Sequence, residues 1–197
     1  AYRAGMALED MEFGQFHPKG MVTTGVLITE ASIREGGYQT NKHGDRFMSQ
    51  NAEGKKDIEP PDHIYRSMMT EFAAGRGYEG VEGLDFLHLD LMHLGGKKIK
   101  TSLPLIRELC IKCVGIDPIE ESIPVRPAAH YSMGGVETDI DGLTSVGGVW
   151  AAGEVACVSL HGANRLGTNS TAECLVWGEI CGAERVKHLA TNQSLPD

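Results

Sequence analysis

Residues Gly147–Thr171, G-G-V-W-A-A-G-E-V-A-C-V-S-L-H-G-A-N-R-L-G-T-N-S-T, constrain this chain more than any other stretch. The apolar run Val149–Ala152 is expected to be a short buried strand, closed by Gly153 and Glu154. A glycine-bearing loop follows, carrying His161 and Arg165, and the polar cluster Thr168, Asn169, Ser170 and Thr171 is suited to open a helix. A strand, a cation-bearing loop and a helix N-terminus with spare backbone N–H groups suit an anion or an electron-rich ring. The same pattern also describes an ordinary βα junction, so the rest of the chain has to decide.

At 197 residues the chain is long enough for one or two modest domains with real cores. A formal net charge of −9 argues against nucleic acid or an acidic membrane surface as the main partner. No apolar run approaches the roughly 20 residues that cross a bilayer, so no direct membrane span is expected, and no signal-peptide pattern opens the chain. Membrane association would come through another subunit. Cys110 and Cys113 form a lone C-x-x-C inside a helical pattern, with no second pair to complete a zinc site. The five cysteines read as reduced, mostly buried thiols of an intracellular protein, and no metal site is expected.

Taken in order, the first ten residues read as the end of a helix already under way, as in a piece of a longer chain. Glu12–His17 reads as a strand that Pro18 ends, and Val26–Thr29 as a second strand with Glu30 at its end. A turn is expected at Gly36 and Gly37, and a hairpin turn at His43 and Gly44. Residues 49–61 form a polar loop into a helix whose inward positions are Ile64, Met68 and Phe72, stopped by Gly75 and Gly77. Leu84–Leu91 alternates as a half-buried strand, with His88 and His93 structural. Ser102 is expected to cap a helix with Pro104 in its first turn and Leu105, Leu109 and Cys113 on one stripe. An extended segment around Arg126 follows, then a tight turn at Asp139–Leu143. The last helix, about Asn169 to Ala190, carries Ala172, Leu175, Val176, Ala183, Val186 and Leu189 inward, with Gly178 and Gly182 spaced for close approach of another element.

The strings R-P-A-A-H-Y-S-M-G-G-V-E-T-D and A-A-G-E-V-A-C-V-S-L-H-G-A-N-R-L-G-T-N-S resemble the flavoprotein subunit of fumarate reductase and succinate dehydrogenase. So do M-E-F-G-Q-F-H-P-K-G, G-V-L-I-T-E-A and E-G-G upstream, and the motifs span nearly the whole chain in the family's order. The resemblance implies an α/β fold: a doubly wound FAD-binding domain interrupted by an α+β capping domain. Residues 1–19 would end the first FAD-domain segment, 20–125 form the cap, and 126–197 return to the FAD domain with a long terminal helix. On that template the chain lacks the N-terminal G-x-G-x-x-G unit that grips the pyrophosphate, so its FAD site is incomplete. The implied partners are fumarate or succinate and the iron–sulfur subunit of a membrane-anchored, quinone-linked complex. The implied location is cytoplasmic, peripheral to the inner face of the membrane.

The resemblance assigns His17, Thr29, His130 and Arg165 to the substrate carboxylates, which suits a planar guanidinium fork and neutral donors. It assigns Glu154 to an FAD hydroxyl, and Ser170 and Thr171 to the helix start facing the flavin near N1. Glu30 keeps the position of the catalytic relay glutamate. Two departures bear on the chemistry. Pro61 stands where the family has its proton-donating arginine, and Ile33 where the relay has its second arginine, with Arg34 one position late. Lys19 replaces the usual threonine after H-P, and Thr171 a small apolar residue, both milder changes. Two alternatives follow: a non-catalytic fragment or dicarboxylate-binding remnant, and an L-aspartate oxidase-like flavoenzyme.

Overall fold

The computed structural model describes residues 1–48 and 59–191. In chain order the first half contains β1 (Leu8–Glu9), β2 (Gly14–Met21), α1 (Ala31–Arg34), β3 (Tyr38–Thr40), α2 (Pro61–Ala73) and β4 (Leu87–Asp90). The second contains α3 (Gly95–Ser102), α4 (Pro104–Val114), β5 (Ile123–Ser132), β6 (Gly135–Glu137), β7 (Ala156–Cys157) and α5 (Asn169–Thr191). Two compact units result: Ala1–Gln15 with Ala129–Asp197, and Phe16–Ala128.

The Phe16–Ala128 unit is built on a sheet of order β2-β5-β4-β3. Strands β3 and β4 pair antiparallel with Gln39 opposite Leu89, and β4 pairs antiparallel with β5 through Leu87 opposite Val125. Period-2 alternation buries Leu87, Leu89 and Leu91 completely, against Ile64 and Met68 of α2, Ile99 of α3 and Ile106 and Cys110 of α4. Helix α2 starts as its sequence dictates, with Pro61 in the first turn and Asp62 beside it, and Gly75 follows its end at φ 67°. Glu71 is buried on α2, and both its oxygens accept hydrogen bonds from Arg76, at 2.7 and 2.8 Å, while Asn41 donates at 2.9 Å.

Several local expectations are revised here. Strand β2 is not ended by Pro18 and runs on to Met21. Val26–Thr29 is no independent strand: it folds back on β2, with Met21 N–H donating to Val26 O and Ile28 N–H to Lys19 O, both at 2.8 Å. The His43–Gly44 turn forms, with Gly44 at φ 82°, but β3 pairs with β4 rather than closing a hairpin. Most of the expected loop over residues 49–61 lies outside the described residues. Ser102 ends helix α3 instead of capping α4, a helix hidden by its single buried apolar residue, Ile99. On α4 the inward face is centred on Ile106 and Cys110, which are buried; Leu109 and Cys113 of the expected stripe pack half-buried against the same core, and Leu105 is 60% exposed. The spacing G-x-G-x-x-G does occur, at Gly75–Gly80, but it follows a helix and leads into the single 3-10 turn Val81–Gly83, neither following a strand nor opening an α-helix. It is therefore not a dinucleotide loop.

The other unit contains a sheet of order β1-β6-β7, antiparallel between β1 and β6 and parallel between β6 and β7. A side chain on Gly134 would meet Asp10 O at 2.2 Å, which explains a glycine there. The Asp139–Leu143 turn forms as expected, with Asp139 N–H donating to Leu143 O. Val149–Ala152 is not a strand. It is half-buried and makes one bridge, Trp150 to Leu143, while the strand comes later at β7. Helix α5 buries only Glu173, and Leu175 and Val186, expected inward, are 71% and 68% exposed. No heavy atom comes within 4 Å of a side chain built on Gly178 or Gly182, so the close approach is not made among the described residues.

Candidate functional site

In the unit formed by residues 1–15 and 129–197, the long β5 strand delivers His130 and Tyr131, and the loop before α5 delivers Arg165. That loop is tied down by Gln15, whose Nε2 donates to Asn164 Oδ1 at 2.8 Å and to Arg165 O at 2.9 Å. The Arg165 guanidinium lies 4.6 Å from the Tyr131 ring centroid. Its two terminal nitrogens donate, one to Leu166 O and the other to His130 Nε2, each at 3.2 Å. Its Nε is buried and has no hydrogen-bond partner among the described residues. Because arginine only donates, His130 Nε2 must accept, and the neutral ring carries its proton on Nδ1. Burial first, and the Arg165 charge second, hold the His130 pKa below its ordinary value.

These residues line an open cleft of about 410 Å³ together with Glu154, Ser170, Thr171 and Cys174. Glu154 Oε1 accepts from Ser132 N–H at 3.1 Å. Thr168 sits at φ 68° and its carbonyl accepts from Thr171 N–H at 3.0 Å, so Ser170 and Thr171 lie in the first turn of α5. Below the cleft the Tyr131 hydroxyl donates to Glu173 Oε2 at 3.0 Å, and His161 Nε2 contacts the same oxygen at 2.9 Å. Burial and then Glu173 push the phenol pKa far above its usual value. Sequence reasoning missed this support. Glu173 is an acid among the apolar residues of the last helix, the kind of exception that signals a buried partner.

In the Phe16–Ala128 unit, a second set of expected residues is gathered. His17 and Lys19 are two apart on β2 and share a face. The Ile28–Lys19 bond brings the chain back so that Glu30 falls beside both. Lys19 Nζ donates to Glu30 Oε1 at 2.5 Å, and His17 Nε2 lies 3.7 Å from the same oxygen. Lys19 N–H donates to His17 Nδ1 at 3.1 Å, which places the neutral ring's proton on Nε2. Thr29 is exposed, and its carbonyl accepts from Ser32 at the start of α1. Ile33 is in the core, and Arg34 and Arg66 are exposed. Pro61 is the first residue of α2 and carries no titratable group. Lys19, expected to be a mild change, proves to be a fully buried cation. Among the described residues no group of three or more His, Cys, Asp and Glu side chains is placed to hold a metal ion. No described helix is long and apolar enough to cross a membrane.

A cleft with one carboxylate, two hydroxyls at a helix start and a cationic edge fits the polar rim of a flavin. The chain belongs to the FAD binding domain family, which matches residues 1–171. It is 45% identical over 202 residues to a fumarate reductase flavoprotein subunit of Mycobacterium tuberculosis, covering 98% of this chain and 34% of that protein. It is 47% identical over 187 residues to the 8-methylmenaquinol:fumarate reductase flavoprotein subunit of Wolinella succinogenes, covering 92% of this chain and 30% of that one. A solved structure of the Escherichia coli quinol fumarate reductase chain FrdA, a single-residue variant, superposes with a TM-score of 0.88 at 39% identity, over 98% of this chain and 34% of that chain. The mixed α/β fold is thus that of the flavoprotein's FAD-binding region. The chain spans about a third of the length of these relatives.

Proposed function

We propose that this chain is part of an FAD-dependent oxidoreductase that interconverts fumarate and succinate, as the flavoprotein of a quinone-linked complex. The observation that carries the proposal is the Arg165 guanidinium. It is oriented by Tyr131 and His130, and its Nε–H is buried without a partner beside an open cleft. A buried donor left unpaired costs about 1–3 kcal/mol, so a ligand oxygen that satisfies it is favoured. In this proposal Arg165 and His130 hold substrate carboxylate oxygens, and, in the Phe16–Ala128 unit, His17 Nε2–H and the Thr29 hydroxyl are carboxylate donors. Glu154, Ser170 and Thr171 would hold the FAD, Glu154 toward a hydroxyl and the helix start toward the flavin ring. When bound, FAD supplies the two-electron chemistry. Glu30 is the group that moves a proton.

The Phe16–Ala128 unit is proposed to be the capping domain and the other unit the FAD-domain segments. The proposed partner is an iron–sulfur subunit of a membrane-anchored complex, with the flavoprotein peripheral to the cytoplasmic face. A second proposal, a dicarboxylate-binding protein without turnover, is favoured by one observation. Pro61 and Ile33 leave no titratable side chain at the two positions where the resembling family has arginines. The test is the full-length protein loaded with FAD. Fumarate should perturb the flavin absorbance, and Arg165→Met should weaken that binding by about 30-fold or more, as loss of a buried charged donor costs 2–5 kcal/mol. Reduction of fumarate by the wild-type protein decides between the two, and unchanged fumarate binding in Arg165→Met sinks both.

A further inference from the structure

Lys19 has no counterpart in the expected site, yet it is 0% exposed and its ammonium is directed at a single carboxylate oxygen, Glu30 Oε1. A buried cation needs its charge compensated, and one good ion pair would explain its survival in the core. That account leaves one fact over. The Glu30 side chain is 41% exposed, so the pair connects a proton held in the core with the exterior of the unit. His17 approaches the same oxygen, so three titratable groups meet around Glu30.

We propose that Lys19 and Glu30 together form the proton-donating pair of this site, Lys19 acting through the Glu30 carboxylate in place of the basic residues absent at positions 33 and 61. The inference rests on the fumarate/succinate proposal above. Burial lowers the Lys19 pKa from its ordinary value against the opposing attraction of Glu30, so its proton is held less firmly than on a surface lysine. The resting pair holds one transferable proton, as ammonium and carboxylate. One Nζ–H bond breaks as a Glu30 oxygen takes the proton, and Glu30 passes it to one alkene carbon of fumarate. When bound, FAD would supply the hydride that completes succinate at the other alkene carbon. The pair, now amine and carboxylate, regains one proton from solvent at the exposed side of Glu30. Lys19 is a positioning and proton-storing residue, and Glu30 is the group that meets the substrate.

The test uses the full-length FAD-loaded protein. Lys19→Met should lower kcat for fumarate reduction by about 10²–10⁴-fold, the usual contribution of general acid catalysis. Fumarate affinity, read from flavin absorbance, should stay within about threefold, because the substrate donors are other residues. Lys19→Arg keeps the charge on a more basic group, so it should slow turnover and shift its pH profile, with wild-type affinity and FAD content. Glu30→Gln, which retains an acceptor for Lys19 but cannot relay a proton, should match Lys19→Met in kcat. Folding is checked by FAD content and melting temperature, and Lys19→Arg decides if Lys19→Met does not fold. A folded Lys19→Met or Lys19→Arg protein with wild-type kcat and an unchanged pH profile overturns the inference. Wild-type protein that binds fumarate but does not reduce it overturns both the inference and the proposed activity. Loss of turnover in Glu30→Gln alone retains that activity and reduces Lys19 to a buried counter-ion.

Discussion

The two units differ in where their charged groups are closed and where one borders open space. In the Phe16–Ala128 unit, Glu71 is closed on Arg76 and Asn41, Asp117 on Arg107, and Lys19 on Glu30, while Arg126 keeps one buried Nη1 without a partner among the described residues. In the other unit, the central cation is left incomplete: Arg165 uses its terminal nitrogens and leaves Nε unpaired at an open cleft. A closed pair such as Glu71 and Arg76 maintains a shape, and an unpaired buried donor at an open cleft anticipates a ligand. What distinguishes Arg165 from Arg126 is that it lines an open cleft.

Three measurements would break or sharpen that contrast. The largest effect is expected at Glu71, where Glu71→Ala leaves Arg76 and Asn41 without their acceptor and should cost about 3–5 kcal/mol, somewhat less if water reaches the half-exposed arginine. Loss of hydrogen-exchange protection at β3 and β4 in the full-length protein would report it. Hydrogen bonding from Arg76 first, opposed by burial, keeps the Glu71 pKa below the ordinary 4.5. The wild-type contribution is therefore complete above that value and is lost as pH falls through the lower folded one, a dependence Glu71→Gln should remove. If acid leaves the protection of β3 and β4 unchanged, Glu71 is not a closed pair.

Next is the core register of α4. Ile106→Ala should cost about 2–4 kcal/mol and Leu105→Ala less than about 0.5, measured by denaturant midpoint. The reverse order would restore the stripe expected from sequence. The smallest effect concerns His130 in the open cleft. Its pKa is held low in the free protein, and a bound carboxylate favours the imidazolium, so fumarate affinity should rise as pH falls through and below about 6.5. The expected gain is a few-fold and at most about tenfold per pH unit, and His130→Gln should flatten it. A flat wild-type profile would remove His130 from the anion site.

Long-period features were legible in the sequence. The Leu87–Leu89–Leu91 alternation, the start of α2 at Pro61 and the extended run through Arg126 all form, because burial and proline chemistry act locally. What misled was tertiary. Val149–Ala152 has the composition of a strand but only one bridging neighbour, and the inward face of α4 depends on the sheet it packs against. Among the candidate site residues, the sequence placed Arg165 and His130 near each other only by resemblance, and it gave no hint that Lys19 is buried. A lysine in a strand is ordinarily solvent-facing. The return of Val26–Ile28 onto β2 is what encloses it.

His17 illustrates a further consequence. Its Nδ1 already accepts from the amide two residues along its own strand, so the ring's rotation and tautomer are set when β2 forms. A ligand that meets Nε2–H there encounters a donor whose orientational freedom has been surrendered during folding rather than during binding. His17→Asn could retain the strand contact without the outward donor, and His17→Gln could extend a donor without the strand contact. The two halves of one imidazole can thus be separated into a structural hinge pin and a recognition group.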